Sequence, residues 1–216
     1  MEITELIPEP VEKYADKYTS EEDSLLKEIA DYTYKNHPRA HMLSGHLQGK
    51  LLEMISHMVQ PSRILEIGTF TGYSALCLAK GLAAAGYLHT IELREDDAAT
   101  AQNYFNRSFL KEKIRLHIGD ALKIIGELDE LWDLVFIDAD KENYINYFNL
   151  VLPKIRQNGF ILADNVLFHG QVLEKEIKGK NAQAIQRFND HILQRKDIEK
   201  VMIPVRDGLM LIRKIS

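Results

Sequence analysis

Five short apolar runs, about 20 to 26 residues apart, constrain the fold of this chain more than any other feature. They are Ile64–Ile67, Leu88–Ile91, Ile114–Ile118, Leu134–Ile137 and Phe160–Ala163, with helical patterns between them. Alternation of this kind predicts repeated strand–helix units and a parallel sheet covered on both faces. The runs end in Gly68, Glu92, Gly119–Asp120, Asp138 and Asp164–Asn165. Because parallel sheets bind ligands beyond the carboxyl ends of their strands, these polar endings should converge on one site. The tail differs: Val201–Val205, Arg206-Asp207-Gly208 and Leu209–Ile212 read as an antiparallel hairpin with a glycine turn.

Ahead of the first run, residues 1–60 read as helical. Ser20 is the expected N-cap, followed by the acids Glu21, Glu22 and Asp23. Leu25, Leu26, Ile29 and Tyr32 recur at helical spacing, and His37-Pro38 should end that helix. A second helix is expected over Leu47–Met58, stopping before Pro61. No composition break or repeat divides the chain, so 1–216 reads as a single domain with 1–60 as an N-terminal helical cap region.

Hydrophobic residues make up 45% of the chain and charged residues 27%, a globular balance. A net charge of -5 disfavours nucleic acid as the partner, since phosphate backbones call for a concentrated cationic face. Lys175, Lys178 and Lys180 read as a solvated surface. The lone Cys77, flanked by Ala75, Leu76, Leu78 and Ala79, reads as a buried helical position. Residues 1–5 lack the basic start of a signal peptide, and no apolar stretch reaches the ~20 residues of a membrane span. The expectation is a cytoplasmic protein without a membrane partner.

The first strand-to-helix turn reads Leu65-Glu66-Ile67-Gly68-Thr69-Phe70-Thr71-Gly72-Tyr73-Ser74. Gly68 and Gly72 allow backbone to approach a ligand closely, and Glu92 ends the next run, suited to a ribose. The loop has no lysine and neither phosphate-binding glycine spacing, and it carries a carboxylate two residues before its first glycine. A pyrophosphate would be repelled there. A ligand carrying an ammonium and a sulfonium would be attracted, and S-adenosylmethionine carries both.

Asp138, Asp164 and Asn165 stand at the ends of two runs that neighbour one another in a doubly wound sheet. Two carboxylates and an amide oxygen without cysteine suit a hard cation, Mg²⁺, Mn²⁺ or Ca²⁺. The alternative is structural: Asp138 and Asp140 as helix N-caps and Asp164 as a turn residue. Lys141 is a candidate base, because a cation and a cationic cofactor nearby would favour its neutral form. His37, His41 and His46 fall only roughly on one helical face and Pro38 interrupts it, so a zinc site is not expected. His169 reads either as a lining of the acceptor pocket or as a plain loop residue.

At these residues the chain resembles the cation-dependent O-methyltransferase family that includes catechol and caffeoyl-CoA O-methyltransferases. The resemblance runs from about Met42 to Ile212, through the glycine loop, Phe136–Tyr144, Asp164-Asn165-Val166-Leu167, Met42-Leu43-Ser44 and Asp207-Gly208. It implies an α/β, doubly wound seven-stranded Rossmann-like S-adenosylmethionine methyltransferase fold with a C-terminal antiparallel hairpin. It implies Asp138, Asp164 and Asn165 as metal ligands and Lys141 as general base. Cofactor contacts are implied for Ser44, Glu66, Gly68, Ser74, Glu92, Ala121 and Asp138 or Asp140, with Met42 near the transferring methyl. Thr69, Gly72 and Tyr73 belong to the same loop and join that set. The resemblance also implies a small vicinal-dihydroxy phenolic acceptor and a homodimer.

Three rival readings predict other features. A nucleic-acid methyltransferase acting on amino groups would show an Asn/Asp-Pro-Pro-aromatic motif where Ile137-Asp138-Ala139-Asp140 stands. A noncatalytic S-adenosylmethionine-binding module would need neither Lys141 nor the acids around it. A nicotinamide oxidoreductase would show the dinucleotide glycine spacing and lack the terminal hairpin.

Overall fold

The computed structural model describes residues 6–216; the segment 1–5, read above for its lack of a signal-peptide start, lies outside them. Seven strands form one sheet in the order β3-β2-β1-β4-β5-β7-β6. They are β1 (Arg63–Ile67), β2 (Tyr87–Glu92), β3 (Ile114–Ile118), β4 (Trp132–Ile137), β5 (Ile155–Asp164), β6 (Ile198–Ile203) and β7 (Leu209–Lys214). The first five are parallel, β7 runs antiparallel to β6, as the hairpin reading required, and β7 also pairs antiparallel with β5. Among the described residues eight α-helices flank them: α1 (Glu9–Lys17), α2 (Ser24–Asn36), α3 (Gly45–Val59), α4 (Tyr73–Ala79), α5 (Glu95–Arg107), α6 (Ala121–Glu127), α7 (Tyr144–Val151) and α8 (Lys180–Gln194). None of the described helices is long and apolar enough to cross a membrane.

Burial on both faces explains why the central runs are almost wholly apolar. In β4, Leu134 and Phe136 join the core beneath α3, α4 and α5, while Val135 and Ile137 join the one beneath α7 and α8. The chain reverses its winding between β1 and β4. A crevice opens at that point, at the carboxyl ends of the strands.

Several local expectations shift. Ser20 is not the cap of α2; Asp23 is, its carboxylate accepting from the Leu26 amide at 2.9 Å. Tyr32 is exposed and meets Tyr104 edge-on at 6.1 Å between ring centroids, instead of joining Leu26 and Ile29 in the core. The second helix is longer than expected, Gly45–Val59, and closes on Gln60 in the left-handed region. β5 begins five residues before its apolar run, at Ile155. Between buried Ile155 and Gly159, residues Arg156, Gln157 and Asn158 are exposed, the last at φ +64°, so no hydrophobic pattern marks this stretch. Cys77 is buried and its thiol is pushed up by burial, as its neighbours implied. Lys175, Lys178 and Lys180 are exposed.

Candidate active site

A cavity of about 800 Å³ sits over the switch point, a volume suited to a cofactor-sized ligand and a small partner. All five polar strand endings line it: Gly68, Glu92, Gly119–Asp120, Asp138 and Asp164–Asn165. So do Met42, Ser44, Thr69, Tyr73, Ser74, Ala121, Asp140 and Lys141. Of the residues expected there, Glu66 and Gly72 alone stand behind the wall.

Gly68, at φ +99°, is pressed against β4: a Cβ there would lie 2.0 Å from the Asp138 carbonyl oxygen. That contact brings the glycine loop directly beside the first candidate metal ligand. Gly72, at φ +88°, serves packing, since a Cβ would strike the Phe105 ring of α5 at 2.7 Å.

Glu66 is fully buried one layer behind the cavity. Ser74 donates to its Oε1 at 2.6 Å and Thr90 to its Oε2 at 2.5 Å, with Thr69 in turn on Thr90. Burial pushes its carboxyl up to about 8, the two hydroxyl donors pull it back, and Asp138 and Glu92 push it further up. The group is therefore poised to ionise when positive charge arrives in front of it. Glu92 lies on the wall itself, with Oε2 accepting from the Phe70 amide at 2.7 Å and Oε1 from the Arg94 amide at 3.0 Å.

On the far side of Asp138, the Lys141 Nζ donates to Asp138 Oδ1 at 3.0 Å, Asn165 Oδ1 at 2.8 Å and Tyr144 Oη at 2.6 Å. Tyr144 is buried and bonded in turn to the Asp164 carbonyl at 3.1 Å, so it fixes the lysine from below. Asp164 Oδ2 accepts from Gln48 at 2.7 Å, while its Oδ1 is buried and has no partner. Burial, and then the charge of Asp138, lifts the Asp164 carboxyl to about 6. An orphaned buried carboxylate oxygen beside a second carboxylate and an amide oxygen is a donor set that a hard cation would satisfy. Asn165 takes φ +57°, which turns its amide toward Lys141. Among the described residues no group of three or more His, Cys, Asp and Glu side chains could hold a metal ion; the candidate set here is two carboxylates and an amide.

The capping alternative does not describe these acids. Asp140 stands before a short 3₁₀ turn without capping it, and its Oδ2 instead accepts from Asn143 at 2.6 Å while Tyr147 binds its Oδ1. The three early histidines do not converge: His37 pairs with Asp97 at 2.9 Å, His46 with Asp16 at 2.6 Å, and His41 lies at the cavity. His169 also lines the cavity, at its exposed edge. Tyr144, Gln48, Thr90 and Arg206 were not anticipated. Tyr144 had a local signal, lying three residues after Lys141, but nothing nearby marks the other three.

The O-methyltransferase family model matches residues 16–215. A probable caffeoyl-CoA O-methyltransferase of Dictyostelium discoideum is 32% identical over 209 residues, which cover 94% of this chain and 91% of the relative. A catechol O-methyltransferase of Niastella koreensis is 37% identical over 146 residues, 66% of each chain. Among solved structures, the methyltransferase PaMTH1 of Podospora anserina, bound to S-adenosylhomocysteine, superposes with a TM-score of 0.89 at 28% identity, covering 96% of this chain and 94% of that one. The O-methyltransferase TomG of Streptomyces achromogenes, in complex with S-adenosylmethionine, gives 0.87 at 30% identity and covers 96% of each chain.

Proposed function

This chain belongs to the O-methyltransferase family, and from that premise we propose that it methylates one hydroxyl of a small vicinal-dihydroxy phenol, of catechol or caffeoyl type, with a divalent cation holding the acceptor. Mg²⁺ is the proposed metal, with Mn²⁺ or Ca²⁺ as substitutes. The observation that carries the reading is the unpartnered Asp164 Oδ1 in a cavity that Asp138, Asn165 and Lys141 also line.

S-adenosylmethionine supplies the methyl, and a cation bound at Asp138, Asp164 and Asn165 supplies positive charge that eases loss of a hydroxyl proton. Once ionised, Glu66 would set a negative field behind Ser74 for the ligand's positive groups, and Glu92 would accept hydrogen bonds from its ribose. Lys141 Nζ lies within reach of two of the three proposed ligand oxygens, so in its neutral form it would accept the proton of an acceptor hydroxyl brought there. The freed oxygen pair forms the new O–C bond while the C–S electrons stay with sulfur, giving a methyl ether and S-adenosylhomocysteine. Tyr144 holds Lys141 in place throughout, and orientation of the two reactants can supply about 7–11 kcal/mol of the barrier reduction.

A cytoplasmic homodimer is part of the same proposal. Helix α1 buries none of its residues and presents Val11, Tyr14 and the following Tyr18 to solvent, a face suited to a second copy.

The test is a methyl-transfer screen over catechols, caffeoyl esters, flavonoids and simple phenols, with Mg²⁺ and with EDTA. Turnover confined to vicinal diols and abolished by EDTA is expected. Full activity in EDTA removes the cation from the mechanism, and equal turnover of lone hydroxyls removes the chelated acceptor.

A further inference from the structure

Arg206 combines two energetic costs at one residue. It is a non-glycine residue at φ +47°, in the turn between β6 and β7. Its guanidinium also lies at the N-terminal end of α3, where a helix dipole disfavours positive charge. What it gains there is a set of three acceptors. Nη1 donates to the Ser44 carbonyl and to Gln48 Oε1, the latter at 2.9 Å, and Nη2 donates to the Leu43 carbonyl at 3.0 Å.

A guanidinium only donates, so it dictates how the Gln48 amide must face. Oε1 points to Arg206, and Nε2 is left to donate to Asp164 Oδ2 at 2.7 Å. Gln48 is fully buried, so no water competes for either bond. One oxygen of Asp164 is thereby occupied, and Oδ1 is the one left without a partner. The same guanidinium grips the backbone of Leu43 and Ser44, which line the cavity beside Met42.

We propose that Arg206 and Gln48 are positioning residues that present Asp164 to the cation through a single oxygen and couple it to the Leu43–Ser44 wall, so that cation and cofactor bind cooperatively. The inference rests on the cation site proposed above. A ligand that settles against Leu43–Ser44 stiffens the anchor of Arg206, Gln48 is held more firmly, and Asp164 is already aimed when the cation arrives. Linkage makes the effect reciprocal.

Mn²⁺ titration followed by electron paramagnetic resonance, with and without S-adenosylhomocysteine, tests this on the full chain. Wild type should bind Mn²⁺ at least about 5-fold more tightly when S-adenosylhomocysteine is present. Gln48→Leu should weaken Mn²⁺ by about 10- to 100-fold, as loss of a ligand's outer partner does, and leave S-adenosylhomocysteine affinity in EDTA unchanged. Arg206→Lys, which keeps the charge but loses the fork, should abolish the coupling. This variant lies in a surface turn and serves if Gln48→Leu fails to fold. A purely structural role would lower the melting temperature and leave Mn²⁺ affinity and coupling intact, which overturns the inference. Wild type that binds Mn²⁺ without coupling to S-adenosylhomocysteine overturns it as well. Wild type that binds no Mn²⁺ overturns the cation site and this inference with it.

Discussion

Replacing Glu66 by glutamine separates the charge of the buried carboxyl from its shape. Glutamine offers one acceptor and one donor group, as the protonated acid does, so Ser74 and Thr90 can both remain bonded. The wild-type carboxyl titrates at about 8 when folded, against an ordinary 4.5. At 1.36 kcal/mol per unit, that difference is worth roughly 5 kcal/mol. Below pH 4.5 the group is neutral in folded and unfolded chains alike, and its contribution is fully present. Between 4.5 and about 8 the folded chain holds a proton that the unfolded chain has released, so stability falls as pH rises. Glu66→Gln lacks this slope. Differential scanning calorimetry without ligand should find the two proteins alike near pH 4.5 and the variant melting higher at pH 9, by roughly 10 °C or more. Other titrating groups cancel in the comparison. A melting difference that does not change with pH would refute the buried proton. S-adenosylhomocysteine, whose ammonium favours the ionised form, should raise the melting temperature of wild type more than that of the variant. Equal affinity of both for S-adenosylhomocysteine at pH 9 would remove Glu66 from the cofactor site.

Lys141→Met should lower turnover by about 10²- to 10⁴-fold while calorimetric affinity for S-adenosylhomocysteine stays the same; unchanged turnover sinks its role as base. Asp164→Ala should leave that affinity intact in EDTA and abolish the rate increase given by Mg²⁺, so a variant that still responds to Mg²⁺ excludes the aspartate as a ligand. Gly68→Ala, which sets a methyl against the Asp138 carbonyl at a left-handed backbone position, should cost about 2–4 kcal/mol in urea unfolding, and an unmoved midpoint would contradict the close contact. Burial, followed by the charges of His117 and Arg115, pushes His89 down to about 4. Its contribution is present above pH 6.5 and is lost as pH falls toward 4, so His89→Phe should flatten the acid side of the stability profile; parallel profiles would count against a buried neutral histidine.

The legible parts of this molecule are those whose physics is local. Glu92, Asp138 and Asp164 each close an apolar run, and a parallel sheet must bring such endings to one edge, so their convergence followed from spacing alone. The hairpin was legible because Arg206-Asp207-Gly208 lies between two apolar segments. Local rules failed at the start of α2, where Ser20 was the expected cap but the helix begins later and Asp23 caps it. They failed again at Ile155–Gly159, where sheet pairing extends a strand through residues with no apolar pattern. The link from Arg206 through Gln48 to Asp164 spans 158 and 116 positions of chain, and no periodicity or motif reaches that far. Its absence from the sequence reading has a further cause. Residue types state how many lone pairs a carboxylate has, but only the folded arrangement decides which of them is already spent. Asp164 could be picked out as a ligand from its place in the chain. That it has one oxygen engaged and one open depends on Gln48, whose orientation depends on Arg206.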